Sequence, residues 1–306
     1  MIRKSWIVFV QALTLSFESI MVEVLTEMPG ISSILVAGIC IPLAGAILMF
    51  VSTIHSKKIT VFNSWKLLFT GSVFLAAAVF LWYDSVTRVG ASKEGLLAGP
   101  LETIVVLILA WLLLKEKLRK VQLVGVIIAL SGFFVTISSR SSDLSSILPI
   151  LLTYGDFEAI LSAFAFSGGV IIMTRLVERH TSVEVSGASL LISGLILLTN
   201  FILSGSHTSI PSIQEWIYLI TFSLLPLGAA FLYVVGLNRI RASLTSTIAS
   251  SNILFTLFLQ LLFKGLGVKS NLPENILLAV MGGALGVFGI YLIHIEKDFL
   301  FRQETS

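Results

Sequence analysis

The chain has 306 residues, of which 56% are hydrophobic and only 12% charged, and its mean hydropathy is +0.99. Soluble domains carry about 25% charged residues, so these charges cannot coat a soluble surface and lipid must be the solvent for most of the chain. A net charge of +3 with a pI near 9.0 would suggest nucleic acid only if the basic residues gathered on one polar face. They sit between apolar runs instead, which makes the lipid bilayer, and no nucleic acid, the expected partner.

A bilayer core of about 30 Å needs roughly 20 helical residues, and ten apolar runs of about that length follow one another: 5–27, 31–53, 65–87, 93–114, 121–138, 154–176, 184–204, 215–237, 243–264 and 274–295. Arg3-Lys4 before the first run has the look of a signal-peptide start. The run is long and has no small-x-small cleavage site before Glu27, so it reads as a retained span. Only the connections 54–64, 139–153 and 205–214 have real length. The polar stretch Ser138 to Asp143 is the natural boundary between a first half, 1–140, and a second, 150–298. With the N-terminus inside, 15 of the 20 Lys and Arg residues fall on inner segments and 5 on outer ones. That agrees with the positive-inside rule, and dropping one span would scramble it. A multi-pass protein of the cell membrane with both termini cytoplasmic is expected.

The sequence also repeats itself. Trp82, Arg88 and Ala91-Ser92 in the first half find Tyr233, Arg239 and Ala242-Ser243 in the second, all at one offset of 151 (239 − 88). Five spans separate equivalent points, and an odd number turns the second copy upside down in the bilayer. The predicted fold class is an all-α membrane protein of ten transmembrane helices arranged as two inverted five-helix repeats, an arrangement typical of secondary transporters.

Several motifs in order resemble the drug/metabolite transporter superfamily, and in particular its ten-span EamA-type members. The fourth span runs from Gly99-Pro100 to Trp111 and Lys115-Glu116-Lys117. It is followed by Gln122 to Gly125 and Leu130-Ser131-Gly132, and the sixth span opens Gly155-Asp156-Phe157-Glu158 and closes at Arg175. At the second-half positions matching Pro100 and Glu116 stand Ser251 and Gly267. The resemblance implies alternating access around a cavity lined by spans 1, 3, 4, 6, 8 and 9, and transport of a small metabolite, often outward. It also implies that Glu116 fixes the cytoplasmic end of span 4.

Charges inside lipid cost at least ~2.5–3.5 kcal/mol, so a buried one normally faces a cavity. Glu18 and Glu102 each sit in the middle third of a span. Gln11 and Thr14 share the face of Glu18, and Glu102 follows the helix-breaking Pro100. Low dielectric penalises a charged carboxylate, which suits both to bind a proton or a cationic group of a substrate; the alternative is a protonated glutamate serving as glue between helices. Trp82, Tyr83 and Tyr233 are either an interfacial aromatic belt or a stacking surface for a ligand. Asn252 is a candidate substrate contact, and Gln260 is either that or an interhelical hydrogen bond. Asp84 and Arg88, four apart, read as an ion pair or an outer gate. Glu23 and Glu27 are expected to snorkel to the interface. Gly282, Gly283, Gly286 and Gly289 predict close packing of span 10, within the molecule or as a dimer face.

The lone Cys40 permits no internal disulfide, and His55, His180, His207 and His294 have no ligand spacing, so no metal and no cofactor is expected. There is no Walker loop, dinucleotide fingerprint or nucleophile elbow. A secondary transporter of a small organic solute, an exporter driven by protons or another gradient, is therefore expected rather than an enzyme. An uncoupled exchanger and a membrane sensor or enzyme on the same scaffold are the competing readings. Mid-membrane acids without a matching arginine favour a neutral, zwitterionic or cationic small-molecule substrate over an anion. The carrier is expected to be a monomer or a homodimer.

Overall fold

The computed structural model describes residues 2–55, 59–115, 120–138, 153–205, 211–240, 242–268 and 271–301, and every regular element among them is a helix. In chain order these are α1 (Ile2–Thr26), α2 (Ser33–His55), a short 3-10 turn (Val61–Ser64), α3 (Trp65–Val89), α4 (Ala91–Leu113), α5 (Lys120–Ser138), α6 (Tyr154–Val177) and α7 (Ser182–Leu203). Then come α8 (Ile213–Phe222), α9 (Leu224–Arg239), α10 (Ala242–Ala249), α11 (Asn252–Gly265) and α12 (Ile276–Phe301). Eight segments among the described residues are long and apolar enough to cross a bilayer, and Ile276–Gly289 is a shorter apolar helix. The ten expected spans thus become eight by that measure, with α5 and α12 at the places of the fifth and the tenth. Large apolar side chains such as Phe50, Ile213, Phe258 and Leu277 stand exposed on the outside, where acyl chains rather than water would meet them. The protein is a helical, multi-pass membrane protein.

Local chemistry explains where helices begin and break. Thr153 and Asp156 form a capping box at the start of α6, as do Ser212 and Glu215 at the start of α8. The expected eighth span is broken at Ser223 into α8 and α9, because Pro226 has no N–H for the carbonyl of Phe222. The expected ninth span is broken at Ser250-Ser251 into α10 and α11. There the ladder tightens to three-residue closures, with the Ser251 N–H donating to Ile248 and the Ile253 N–H to Ser250. Ser251 is the position that matches Pro100, which α4 carries inside an unbroken helix.

Packing follows the internal offset. α2 lies along α7, and α5 along α12; shifting α2 and α5 by 151 residues lands them on those same partners. The α3–α6 pair is matched by α9–α1, and the α4–α6 pair by α11–α1. Glycine makes the first two pairs possible. A Cβ on Gly45 would run into the backbone of Leu191, and one on Gly194 into the backbone of Pro42. A Cβ on Gly132 would lie 2.5 Å from the Gly286 nitrogen, and one on Gly289 would strike Ala129. The glycine row of the tenth expected span therefore packs within the molecule, Gly282, Gly286 and Gly289 against α5 and Gly283 and Gly286 against Leu96 and Pro100 of α4.

Two polar clusters tie the ends of the bundle. Glu23 does not snorkel: it is 3% exposed. One of its oxygens accepts the Ala91 N–H (3.0 Å) and the Gln260 side-chain amide (2.6 Å), and the other the Asn271 N–H (2.6 Å). Gln260 accepts the Ser92 N–H in turn, so α1, α4, α11 and the segment before α12 meet at one carboxylate. Gly90, at φ +90°, lets the α3–α4 turn approach Asn271 that closely. At the other end of the helices, Glu184 accepts from the Thr60 and Val61 N–H groups and the Thr60 hydroxyl. His180 bridges Thr60 and Ser64 there, which fastens the 3-10 turn to α7. The half boundary expected within 139–152, Glu116 with Lys117, and Arg241 lie outside the described residues.

Candidate functional site

A cavity of about 130 Å³ lies among α1, α3, α4, α6, α9, α10 and the start of α11. Those are the helices of the spans expected to line it; Ile41 of α2 and Ser186, Ser189 and Leu190 of α7 also contribute. Its walls are mostly apolar and small, and among the described residues no Lys, Arg or His lines it. Three carboxylates border it: Glu18, Glu94 and Glu102.

Glu18 is 2% exposed and accepts a 2.6 Å hydrogen bond from the Tyr83 hydroxyl. Tyr83 is fully buried behind it and does not itself line the cavity. Gln11 sits two turns earlier on α1, also 2% exposed, and its Oε1 has no hydrogen-bond partner. Thr14, expected on the same polar stripe, instead donates back to the Val10 carbonyl and does not line the cavity; a hydroxyl in a helix finds that carbonyl within reach. Glu102 is half-buried because it borders the open space, and the Tyr233 hydroxyl faces it without making a bond of ordinary length. Trp82 packs edge-on against Phe166 at 5.8 Å between centroids and faces Glu94. Both Trp82 and Tyr233 therefore line the cavity rather than forming an interfacial belt, and Tyr83 is buried as well. Asn252 lines it at the start of α11 with its Oδ1 unpaired. Gln260 does not reach the cavity, since it is fully buried in the Glu23 cluster.

Asp84 and Arg88 form the i,i+4 pair expected, at 2.8 Å, but as part of a larger group. The Arg88 Nε also reaches Glu158 of α6 at 3.1 Å, its guanidinium lies 4.9 Å from the centre of the Tyr154 ring, and Ser33 of α2 donates to Asp84. The cluster joins three helices outside the cavity lining. Sequence reasoning missed Glu158 as its second acid. It also missed Glu94, which stands one residue after Lys93 in the first turn of α4 and so reads as an interfacial charge. The available signal was the spacing Glu94, Ala98, Glu102, every fourth residue and one broad helix face, with Gly95 and Gly99 beside it.

The lining repeats itself at the offset found in the sequence. Gln11 pairs with Ser162, Leu15 with Phe166 and Glu18 with Gly169. Leu75 pairs with Pro226, Val79 with Ala230 and Trp82 with Tyr233. Gly95 pairs with Ser246, Ala98 with Ala249 and Gly99 with Ser250. Both members of every pair border the cavity. Equivalent positions of the two halves thus recur in the walls, but the charge does not. At the positions 151 beyond Glu18, Glu94 and Glu102 stand Gly169, Thr245 and Ile253, so all three acids come from the first half.

Comparison with known proteins gives the same picture at family level. An uncharacterized transporter of Methanothermobacter thermautotrophicus is 22% identical over 190 residues, which is 62% of this chain and 54% of that protein. The chain thus spans about half the length of the curated relative it matches. A protein of known crystal structure superposes with a TM-score of 0.67 at 18% identity, covering 94% of this chain and 98% of that one; at that identity the likeness is one of fold alone. The EamA-like transporter family matches residues 4–138 and again 153–295. With nearly all of its length accounted for by that double match, this multi-pass membrane protein belongs to the EamA-like transporter family, within the drug/metabolite transporter superfamily.

Proposed function

We propose that the protein is a secondary transporter that exports a small organic metabolite across the cell membrane by alternating access, coupled to protons through its cavity acids. Ten spans form two inverted five-helix repeats, residues 1–140 and 150–298, with both termini in the cytoplasm. The observation that carries this reading is the cavity itself: walls in which nine pairs of equivalent positions from the two halves meet, holding acids from one half only. Paired walls suit a site that must be approached in turn from either side. A carboxylate kept away from bulk water is stabilised by a proton or by a cationic group, and exchanging one for the other links solute movement to a pH gradient. Glu18 and Glu102 carry that exchange. Gln11, Trp82, Tyr233 and Asn252 contact the solute, Tyr83 positions Glu18, and the Asp84–Arg88–Glu158 group acts as a gate on the outer side. The absence of any basic lining residue favours a neutral, zwitterionic or cationic solute.

The test is transport by the purified protein in liposomes, with and without a pH gradient. Glu18→Gln and Glu102→Gln keep the side-chain shape and remove the titrating group. A variant at the coupling residue loses uptake driven by the gradient and keeps solute exchange at equal pH. Full gradient-driven transport by both variants refutes proton coupling and leaves an uncoupled exchanger.

A further inference from the structure

Resting on the transport reading above, we propose that the solute is a linear di- or polyamine, held by one ammonium group at Glu94 and Trp82 and another at Glu102 and Tyr233. The two acids stand eight residues apart on one broad face of α4, so they are separated by about 12 Å along the helix axis. Each has an aromatic residue beside it, Trp82 at Glu94 through its indole N–H and Tyr233 at Glu102 through its hydroxyl, and those two residues are the repeat images of one another. A cavity carboxylate held in this way suits an alkylammonium, which gains a charge-assisted hydrogen bond there.

The rest of the cavity agrees with such an occupant. Gln11, 2% exposed, and Asn252 both border it, and the Oε1 of the one and the Oδ1 of the other are buried without a hydrogen-bond partner. Two acceptors at the cavity wall thus lack N–H donors, and among the described residues the lining supplies no basic side chain. A metal ion is a poor fit, because among the described residues no three His, Cys, Asp or Glu side chains converge closely enough to hold one. The stretch between the acids is lined by Gly95, Ala98 and Gly99; a Cβ on Gly95 would meet nothing within 4 Å, so there is room there for a methylene chain, whereas Ile253 packs against Gly99. A volume of about 130 Å³ is on the scale of a cavity that takes one benzene-sized guest, which suits a slender amine better than a large polycyclic cation. With hydrogen bonds reaching inward from each acid, roughly 6–12 Å remains between the two nitrogens, about four to eight methylenes in an extended chain. Glu18, which already holds Tyr83, is left for the proton.

The experiment uses the purified full chain. Straight-chain diamines of increasing length, monoamines and diols of matching length are compared by ligand-dependent thermal stabilisation and by uptake into liposomes. The expected result is a diamine of optimal length binding at least about tenfold more tightly than the monoamine, a difference of about 1.4 kcal/mol, with diols inert. Glu94→Gln and Glu102→Gln each abolish the preference for two amines over one. Glu94→Asp, shorter by one methylene, moves the optimum to a longer diamine, a change that misfolding would not produce. Equal binding of monoamine and diamine, or no length optimum, overturns the proposal. If the liposomes carry a neutral or zwitterionic solute from a metabolite panel but no diamine, the polyamine assignment falls and the transport reading stands. If no solute of any class binds or crosses, both fall.

Discussion

Replacing Glu23 by alanine is expected to destabilise the fold far more than its place near the end of a span suggests. The substitution removes the acceptor of three hydrogen bonds, from the Ala91 N–H, the Gln260 amide and the Asn271 N–H. Ala91 and Gln260 are buried, at 0% exposure each, so their donors would find no water. At about 1–3 kcal/mol per buried donor left unpaired, those two alone cost about 2–6 kcal/mol. Asn271 is exposed and regains a water partner, so it adds little. Glu23→Gln keeps an oxygen in place and should fall between wild type and alanine. Glu27→Ala, four residues on and exposed, is the internal control and should stay within about 0.5 kcal/mol. Unfolding of the three variants in one detergent or lipid disc, by heat and by denaturant, gives the comparison. If Glu23→Ala loses no more than Glu27→Ala, Glu23 is a snorkelling charge after all and the cluster it centres has no structural weight.

Two further outcomes follow from the packing and the topology. Gly194→Ala drives a methyl group into the backbone of Pro42, whereas a Cβ on Gly95 meets nothing within 4 Å; the first should therefore unfold or mislocalise the protein, and the second should fold normally yet reduce transport by narrowing the cavity, as read by thermal stability against liposome uptake. In intact cells, cysteines introduced at Ser204 and Lys115 on this background, whose own Cys40 is buried, should label from outside and only after permeabilisation respectively. Labelling of both from the same side would refute the inverted arrangement.

How much of this was legible in the sequence depended on the kind of signal. The all-helical architecture and the order of its apolar segments followed from apolar runs bounded by charge, because the bilayer imposes one length on every crossing; the count of ten did not, since eight described segments are long and apolar enough to cross. The cavity acids Glu18 and Glu102 were legible since a mid-span carboxylate is costly in lipid and must turn toward a cavity or a partner. Glu94 was not, because a carboxylate beside Lys93 at a helix start looks like an interfacial pair; its burial at 4% exposure on the cavity wall is a tertiary fact. Glu23 misled for the same reason, since depth along a helix says nothing about which neighbours supply donors. The break in the ninth expected span was silent too: Ser250 and Ser251 are weak helix breakers, and only the structure shows the Ser251 hydroxyl turning back to the Ile248 carbonyl beside the tightened closures. The aromatic residues divided on orientation, which one-dimensional position leaves open.

The confinement of all three acids to one half has a consequence for ancestry. Of the image positions, Gly169 borders the cavity while Thr245 and Ile253 do not, so a second copy of the first half would bring a further carboxylate to this space at residue 169, directly opposed in repeat space to Glu18. Like charges at close quarters there repel and do not all ionise, so the small, neutral Gly169 is what lets the two halves share one cavity without sharing its charge.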